Sequence, residues 1–97
     1  MPNPNPLEKD IEKKVCDYAK SHGCLVYKFT SPSRRSVPDR LFITPLGVVF
    51  FIEFKRLGQK PTAAQEVEIG KLKAQGANVF VSDSVEHGEN VVDMMLL

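Results

Sequence analysis

The fold of this chain is decided by the stretch Asp39-Arg40-Leu41-Phe42-Ile43-Thr44-Pro45-Leu46-Gly47-Val48-Val49-Phe50-Phe51-Ile52-Glu53-Phe54-Lys55. Two largely apolar runs, residues 39–44 and 48–55, flank Pro45-Leu46-Gly47, and these turn-forming residues predict a hairpin of two antiparallel strands. The second run is apolar on both faces of a strand, so we expect it in the middle of a sheet and covered on both sides.

The hairpin predicts which side chains face one another. If its loop has three residues, Thr44 pairs with Val48, and the same register places Asp39 opposite Glu53. Opposed residues have Cβ atoms about 4.5–5.5 Å apart on one face of the sheet. Because side chains alternate along a strand, Lys55 shares the face of Glu53. The sequence therefore predicts that two carboxylates and one ammonium group converge.

This group of charges is suited to holding a metal ion. Burying two carboxylates in an apolar sheet is costly unless they are compensated. Asp39 and Glu53 can ligate Mg²⁺, a hard cation that prefers oxygen and keeps several waters, and we expect Mn²⁺ to substitute. The backbone carbonyl of Phe54 can supply another oxygen, and Lys55 can orient an attacking water or stabilise developing charge. Other chemistry is not indicated, since the two histidines are isolated.

The remaining segments predict helices around a sheet. Apolar residues at helical spacing predict a helix over residues 7–22, and residues 24–30 read as a strand. A second helix is predicted from residue 62 to about 75, followed by a strand at 77–81 and an apolar tail that forms a short helix or an interface segment. The predicted fold class is α/β, in the order α-β-β-β-α-β with a final helix, and its four-stranded sheet is mixed.

Length and composition limit the alternatives. The 97 residues make one domain, which we place at residues 7–97 after a flexible lead-in at 1–6. No run approaches the roughly 18 apolar residues of a membrane span, and a signal peptide is not indicated. Cys16 and Cys24 lack metal or redox spacing, so we interpret them as buried thiols of a cytoplasmic protein.

Charge is segregated along the chain. Residues 28–60 contain seven basic and two acidic side chains, a net +5, whereas the rest carries −4. A positive field around two isolated acids favours a polyanionic partner, although an ordinary solvated basic loop explains the charge equally well.

These features together resemble the VRR-NUC family of the PD-(D/E)XK nuclease superfamily, whose stand-alone members are common in bacteria and bacteriophages. The resemblance covers about residues 7–82. The matching segments are Lys28-Phe29-Thr30-Ser31, Val37-Pro38-Asp39-Arg40, Phe51-Ile52-Glu53-Phe54-Lys55 and Gly58-Gln59-Lys60-Pro61-Thr62-Ala63-Ala64-Gln65. It implies a restriction-endonuclease-like core and a Mg²⁺-dependent DNA endonuclease with Asp39, Glu53 and Lys55 as catalytic residues.

The resemblance implies two further catalytic residues. Members of the superfamily often place a glutamate of the first helix near the metal, and Glu12 is the candidate here, with Glu8 as the alternative; both can equally be solvent-facing charges. Gln65 resembles an active-site glutamine, and it shares a helical face with Ile69 and Leu72. It also completes a capping box with Thr62, which is a sufficient structural role.

Basic loops should flank this site and bind phosphate. Few aromatic residues accompany them, so stacking on unpaired bases is not specially indicated. The predicted DNA-binding residues are Lys28, Ser31, Arg34, Arg35, Arg40, Arg56 and Lys60.

We expect the substrate to be branched DNA, because so small a domain offers few elements for reading sequence. Stand-alone members of the family resemble Holliday junction resolvases, whose paired cuts require a homodimer. The apolar tail can form its interface or pack on its own core. The alternatives are a nuclease subunit with broad or partner-directed specificity, and an inactive nucleic-acid-binding module.

Overall fold

The computed structural model describes residues 7–97, so the predicted lead-in at 1–6 lies outside the described residues. Helices and strands follow one another in the predicted order, and the tail forms a final helix. Their bounds are α1 (Glu8–Ser21), β1 (Leu25–Lys28), β2 (Arg40–Ile43), β3 (Val49–Phe54), α2 (Ala63–Ala74), β4 (Asn78–Ser82) and α3 (Val85–Met95).

The four strands form one mixed sheet in the order β1-β2-β3-β4. Strands β1, β2 and β3 are antiparallel neighbours, whereas β4 joins β3 in parallel through the crossover helix α2. Leu41 lies opposite Phe51 and Ile43 opposite Val49, and Thr44 N donates to Val48 O at 2.9 Å. The predicted register of the hairpin is confirmed. Its three-residue loop depends on Gly47, whose φ of 85° is disfavoured for residues with a Cβ.

Helices α1 and α3 cover one face of the sheet. The side chains of Phe42, Phe50, Ile52 and Phe54 on this face are fully buried. They form one apolar core with residues of the two helices and both cysteines: Ile11, Val15, Cys16, Ala19, Cys24, Val91 and Val92. Every second residue of the strands thus packs on the apolar faces of α1 and α3. This alternation in the strands and the helical spacing in α1 and α3 bury one face of each element.

The opposite face is covered only over part of its width. Helix α2 packs on β4 there, with Ile69 buried. Leu25, Tyr27 and Val49 remain 55%, 53% and 40% exposed. The expectation that the strand from residue 48 is covered on both sides is therefore wrong at its beginning, because Val49 is exposed on the face where α2 packs on β4.

The apolar C-terminal tail packs mainly on its own core. Val91 and Val92 are buried against the sheet and α1, although Met94 and Leu97 are exposed. No helix within residues 7–97 is long and apolar enough to cross a membrane.

Candidate active site

The hairpin brings Asp39, Glu53 and Lys55 together where β2 begins and β3 ends. Lys55 Nζ lies 3.5 Å from Glu53 Oε2, and their side chains are only 12% and 2% exposed. The Asp39 carboxylate accepts a hydrogen bond from Phe54 N at 2.8 Å. The predicted convergence follows from strand register and side-chain alternation, and it needs no contact from a distant part of the chain.

The two oxygens of Glu53 differ sharply. Oε2 accepts a hydrogen bond from Gln65 Nε2 at 2.7 Å, whereas Oε1 is buried and has no hydrogen-bond partner in the described part of the chain. Burial raises the pKa of Glu53 to about 7, and the negative charge of Asp39 adds to this effect. Burial likewise raises the pKa of Asp39. A buried carboxylate oxygen without a hydrogen-bond donor is costly, and a bound cation would offset this cost.

Pro38 leaves a second oxygen available at the same place. The hydrogen bond from Thr44 N to Val48 O, just beyond the two strands, indicates that the even-numbered residues of β2 and β3 form the ladder hydrogen bonds. Continuing this register places Pro38 opposite Phe54. Proline has no N–H to donate, so the Phe54 carbonyl gains no ladder bond from it, and Phe54 N turns to the Asp39 carboxylate instead. The predicted carbonyl ligand is therefore not consumed by the sheet.

The glutamates of α1 have different partners. Arg40 Nε donates to Glu12 Oε2 at 2.6 Å, and this ion pair joins α1 to β2. Burial and the charge of Asp39 raise the pKa of Glu8, while the charge of Lys55 lowers it. Burial raises the pKa of Asp39, and the charge of Glu12 adds to this effect. Glu12 and Glu8 therefore both stay candidates for the helix carboxylate of the site. For Arg40 to bind DNA, its ion pair with Glu12 would have to open.

Gln65 caps α2 and also contacts Glu53. Its backbone N–H donates to Thr62 Oγ1 at 3.2 Å, and its Oε1 accepts from Thr62 N at 2.9 Å, which completes the capping box. Its Nε2 is then free to donate to Glu53 Oε2. One side chain therefore starts α2 and fixes Glu53.

Four of the predicted DNA-binding residues surround one cavity. This basic cavity has a volume of about 350 Å³ and is lined by residues 28–31, Arg34, Arg35, Val37 and Asp39. Arg34 forms an ion pair with Glu68 of α2 at 3.2 Å. Arg56 and Lys60 lie in the loop after β3, where Gly58 N donates to Asp83 Oδ2 at 3.0 Å. Phe29 was not among the predicted site residues. Its place in the matching segment 28–31 is the sequence signal that could have identified it.

The residues present fit a hard divalent cation. Within residues 7–97, no group of three or more His, Cys, Asp or Glu side chains is arranged to hold a metal ion. Two carboxylates and a free backbone carbonyl remain, and Mg²⁺ is commonly bound by one or two carboxylates while it keeps several waters. The unsatisfied Oε1 of Glu53 is the observation that supports this fit.

The chain is similar to known proteins in sequence and in structure. No protein-family model matches the sequence. A protein named "Putative nuclease p44", from Acyrthosiphon pisum secondary endosymbiont phage 1, is 46% identical over 77 residues, which cover 79% of this chain and 83% of that protein. A solved structure described as a VRR_NUC domain superposes with a TM-score of 0.82 at 32% identity, covering 89% of this chain and 94% of its own.

The fold and the arrangement of Asp39, Glu53 and Lys55 define the class of protein, which is that of the restriction-endonuclease-like nucleases. Within this class, the chain belongs to the VRR-NUC family.

Proposed function

We propose that this protein is a Mg²⁺-dependent endonuclease that hydrolyses DNA phosphodiester bonds. The observation that carries the proposal is the buried Oε1 of Glu53, which lacks a partner within the described residues beside Asp39 and Lys55. An oxygen left unsatisfied among acids is expected at a cation site and has no structural benefit. The similarity to a phage protein named as a nuclease supports the same activity.

Each side chain has a role in this chemistry. Asp39, Glu53 and the Phe54 carbonyl would hold the ion, and a glutamate of α1, Glu12 or Glu8, would add a negative charge beside them. A bound Mg²⁺ polarises the phosphate and lowers the pKa of a water. Lys55 presents its ammonium group to the attacking water or to the charge that develops on phosphate. Gln65 would position Glu53 by holding Oε2, which leaves Oε1 for the ion.

The test measures cleavage of labelled DNA with Mg²⁺, Mn²⁺ or EDTA. We expect metal-dependent cleavage that Asp39→Asn lowers at least about a hundredfold, because the variant loses an anionic ligand. Asp17→Asn is the matched control, since Asp17 is an exposed acid of α1 that pairs with Lys13 at 2.7 Å. Binding without cleavage under all metal conditions would instead identify an inactive binding module.

The finer proposal is a homodimer that cuts branched DNA symmetrically, within the cytoplasm of a bacterial or phage-infected host cell. Because the tail packs on its own core, this proposal rests on the need for two active sites and not on an exposed tail. Four-way junctions, flaps, duplexes and single strands should be compared side by side, with the mass of the particle measured by light scattering. Paired incisions by a particle of twice the chain mass are expected; a monomer that cuts linear duplex equally well contradicts the proposal.

A further inference from the structure

One wall of the basic cavity is apolar, and phosphate binding does not explain it. Phosphate needs only the cationic side chains, of which Arg34 and Arg35 lie in the loop between β1 and β2. Phe29 and Val37 add apolar surface to the same cavity. Apolar side chains offer nothing to a phosphate group, so this wall is suited to a different part of a ligand.

Phe29 is held in place as an aromatic platform. Its ring packs against Phe51 of β3, with centroids 5.1 Å apart and planes inclined by 48°. Its backbone N–H donates to Asp39 O at 2.9 Å, and this hydrogen bond holds Phe29 next to a carboxylate of the candidate active site. The ring is only half-buried, and it lines the cavity. A fixed, partly open ring is the kind of surface on which nucleic-acid bases stack.

The remaining lining is also suited to a nucleotide. Thr30 and Ser31 add hydroxyl groups, which can bond to sugar or base edges. The volume of about 350 Å³ lies at the small end of the range for cavities that hold one small ligand. Because Asp39 lines the same cavity, whatever fills it is adjacent to the bond that is cut.

We infer that the basic cavity binds one unpaired nucleotide next to the scissile phosphate, with its base on Phe29 and its phosphate on the arginines. In a continuous duplex both faces of a base are covered by its neighbours, so only an unpaired or displaced base can use an aromatic wall. This inference rests on the proposed function and narrows its substrate to branched DNA with an unpaired nucleotide beside the cut, in preference to branched DNA whose bases are all paired.

The test measures binding in EDTA, where cleavage does not interfere. A labelled duplex is compared by fluorescence anisotropy with the same duplex carrying one unpaired nucleotide. Wild-type protein should bind the second about tenfold more tightly, and Phe29→Leu should remove this preference, because leucine keeps apolar packing but loses base stacking. Tyr27→Leu is the matched control: Tyr27 is an exposed aromatic residue of β1, two positions before Phe29, and it does not line the cavity.

A second measurement does not depend on any variant. Adding a trinucleotide to isotopically labelled wild-type protein should shift the backbone amide resonances of residues 29–31 and 37, and leave that of Tyr27 unchanged. Equal affinity for the two duplexes overturns the inference, as does a preference that survives in Phe29→Leu or a set of shifts outside the cavity.

Failure of the inference and failure of the proposed function give different results. If wild-type protein prefers the unpaired nucleotide but cleaves no DNA with Mg²⁺ or Mn²⁺, the endonuclease proposal fails and the cavity assignment stands. If it cleaves DNA but binds paired and unpaired substrates equally, only the cavity assignment fails.

Discussion

Glu53 couples the stability of the metal-free protein to pH. Burial raises its pKa to about 7 from the ordinary value of 4.5. Between these values the folded protein retains a proton that the unfolded chain has lost, so this stabilisation is complete below about pH 4.5 and is lost as pH rises through about 7. We expect the melting temperature in EDTA to fall between pH 5 and 8. Glu53→Gln should flatten this fall, and parallel curves for the two proteins would contradict the assignment.

Pro38 has no N–H, so it cannot donate a ladder hydrogen bond to the Phe54 carbonyl. Replacing it with alanine supplies an N–H that can bond to the Phe54 carbonyl and withdraw this oxygen from the site. We expect Pro38→Ala to weaken Mn²⁺ binding about tenfold, as measured by calorimetry. Pro45→Ala, in the exposed hairpin loop at the far end of β2, is the control. Unchanged Mn²⁺ affinity in Pro38→Ala would show that the carbonyl is not a ligand.

At the scale of elements, the first turn of α2 has two separable tasks. Thr62→Ala removes only the cap and should lower the free energy of unfolding by about 1 kcal/mol with little loss of activity. Gln65→Ala removes half of the capping box and also the hydrogen bond to Glu53, so it should lower cleavage about tenfold or more as well. Denaturant unfolding and cleavage rates measure the two effects. Equal activity in both variants would mean that Gln65 is only a cap.

The packing of α3 on α1 depends on Gly88. A Cβ at this position would lie 2.4 Å from Val15 Cγ2, which is closer than atoms can approach. Gly88→Ala should therefore destabilise the fold by about 1–3 kcal/mol through overpacking. Gly70→Ala is the matched control, because nothing lies within 4 Å of its Cβ position in α2, and it should stabilise the helix by about 0.5–1 kcal/mol. Chemical denaturation of both variants measures the difference.

At the scale of the whole molecule, segregated charge should govern the approach of DNA. Residues 28–60 carry a net +5 although the chain as a whole carries +1. The affinity for DNA should fall linearly with the logarithm of salt concentration. Arg35→Gln should reduce this slope by about one, whereas Lys20→Gln, at the end of α1 and outside the basic stretch, should not change it. Anisotropy titrations over a range of salt measure both slopes, and equal reductions would contradict a localised basic surface.

Much of the fold and the centre of the site could be predicted because they depend on local rules. The hairpin loop sets the register of β2 and β3, and alternation along β3 places Glu53 and Lys55 on one face. Interactions between distant segments were harder to predict. The ion pair between Arg40 of β2 and Glu12 of α1 is one example, because it depends on how these two elements pack. Which strands are covered on the face opposite α1 and α3 depended on where the crossover helix α2 packs.

The sequence by itself determined the order of the elements, the register of the hairpin and the convergence of Asp39, Glu53 and Lys55. Each follows from spacing within one or two adjacent strands. Only the tertiary structure decided that Glu53 Oε1 is buried without a partner among the described residues, that Gln65 reaches Glu53, and that Phe29 meets the arginines around one cavity. Those results depend on how elements far apart in the chain pack together, because burial and contact are properties of the packed molecule.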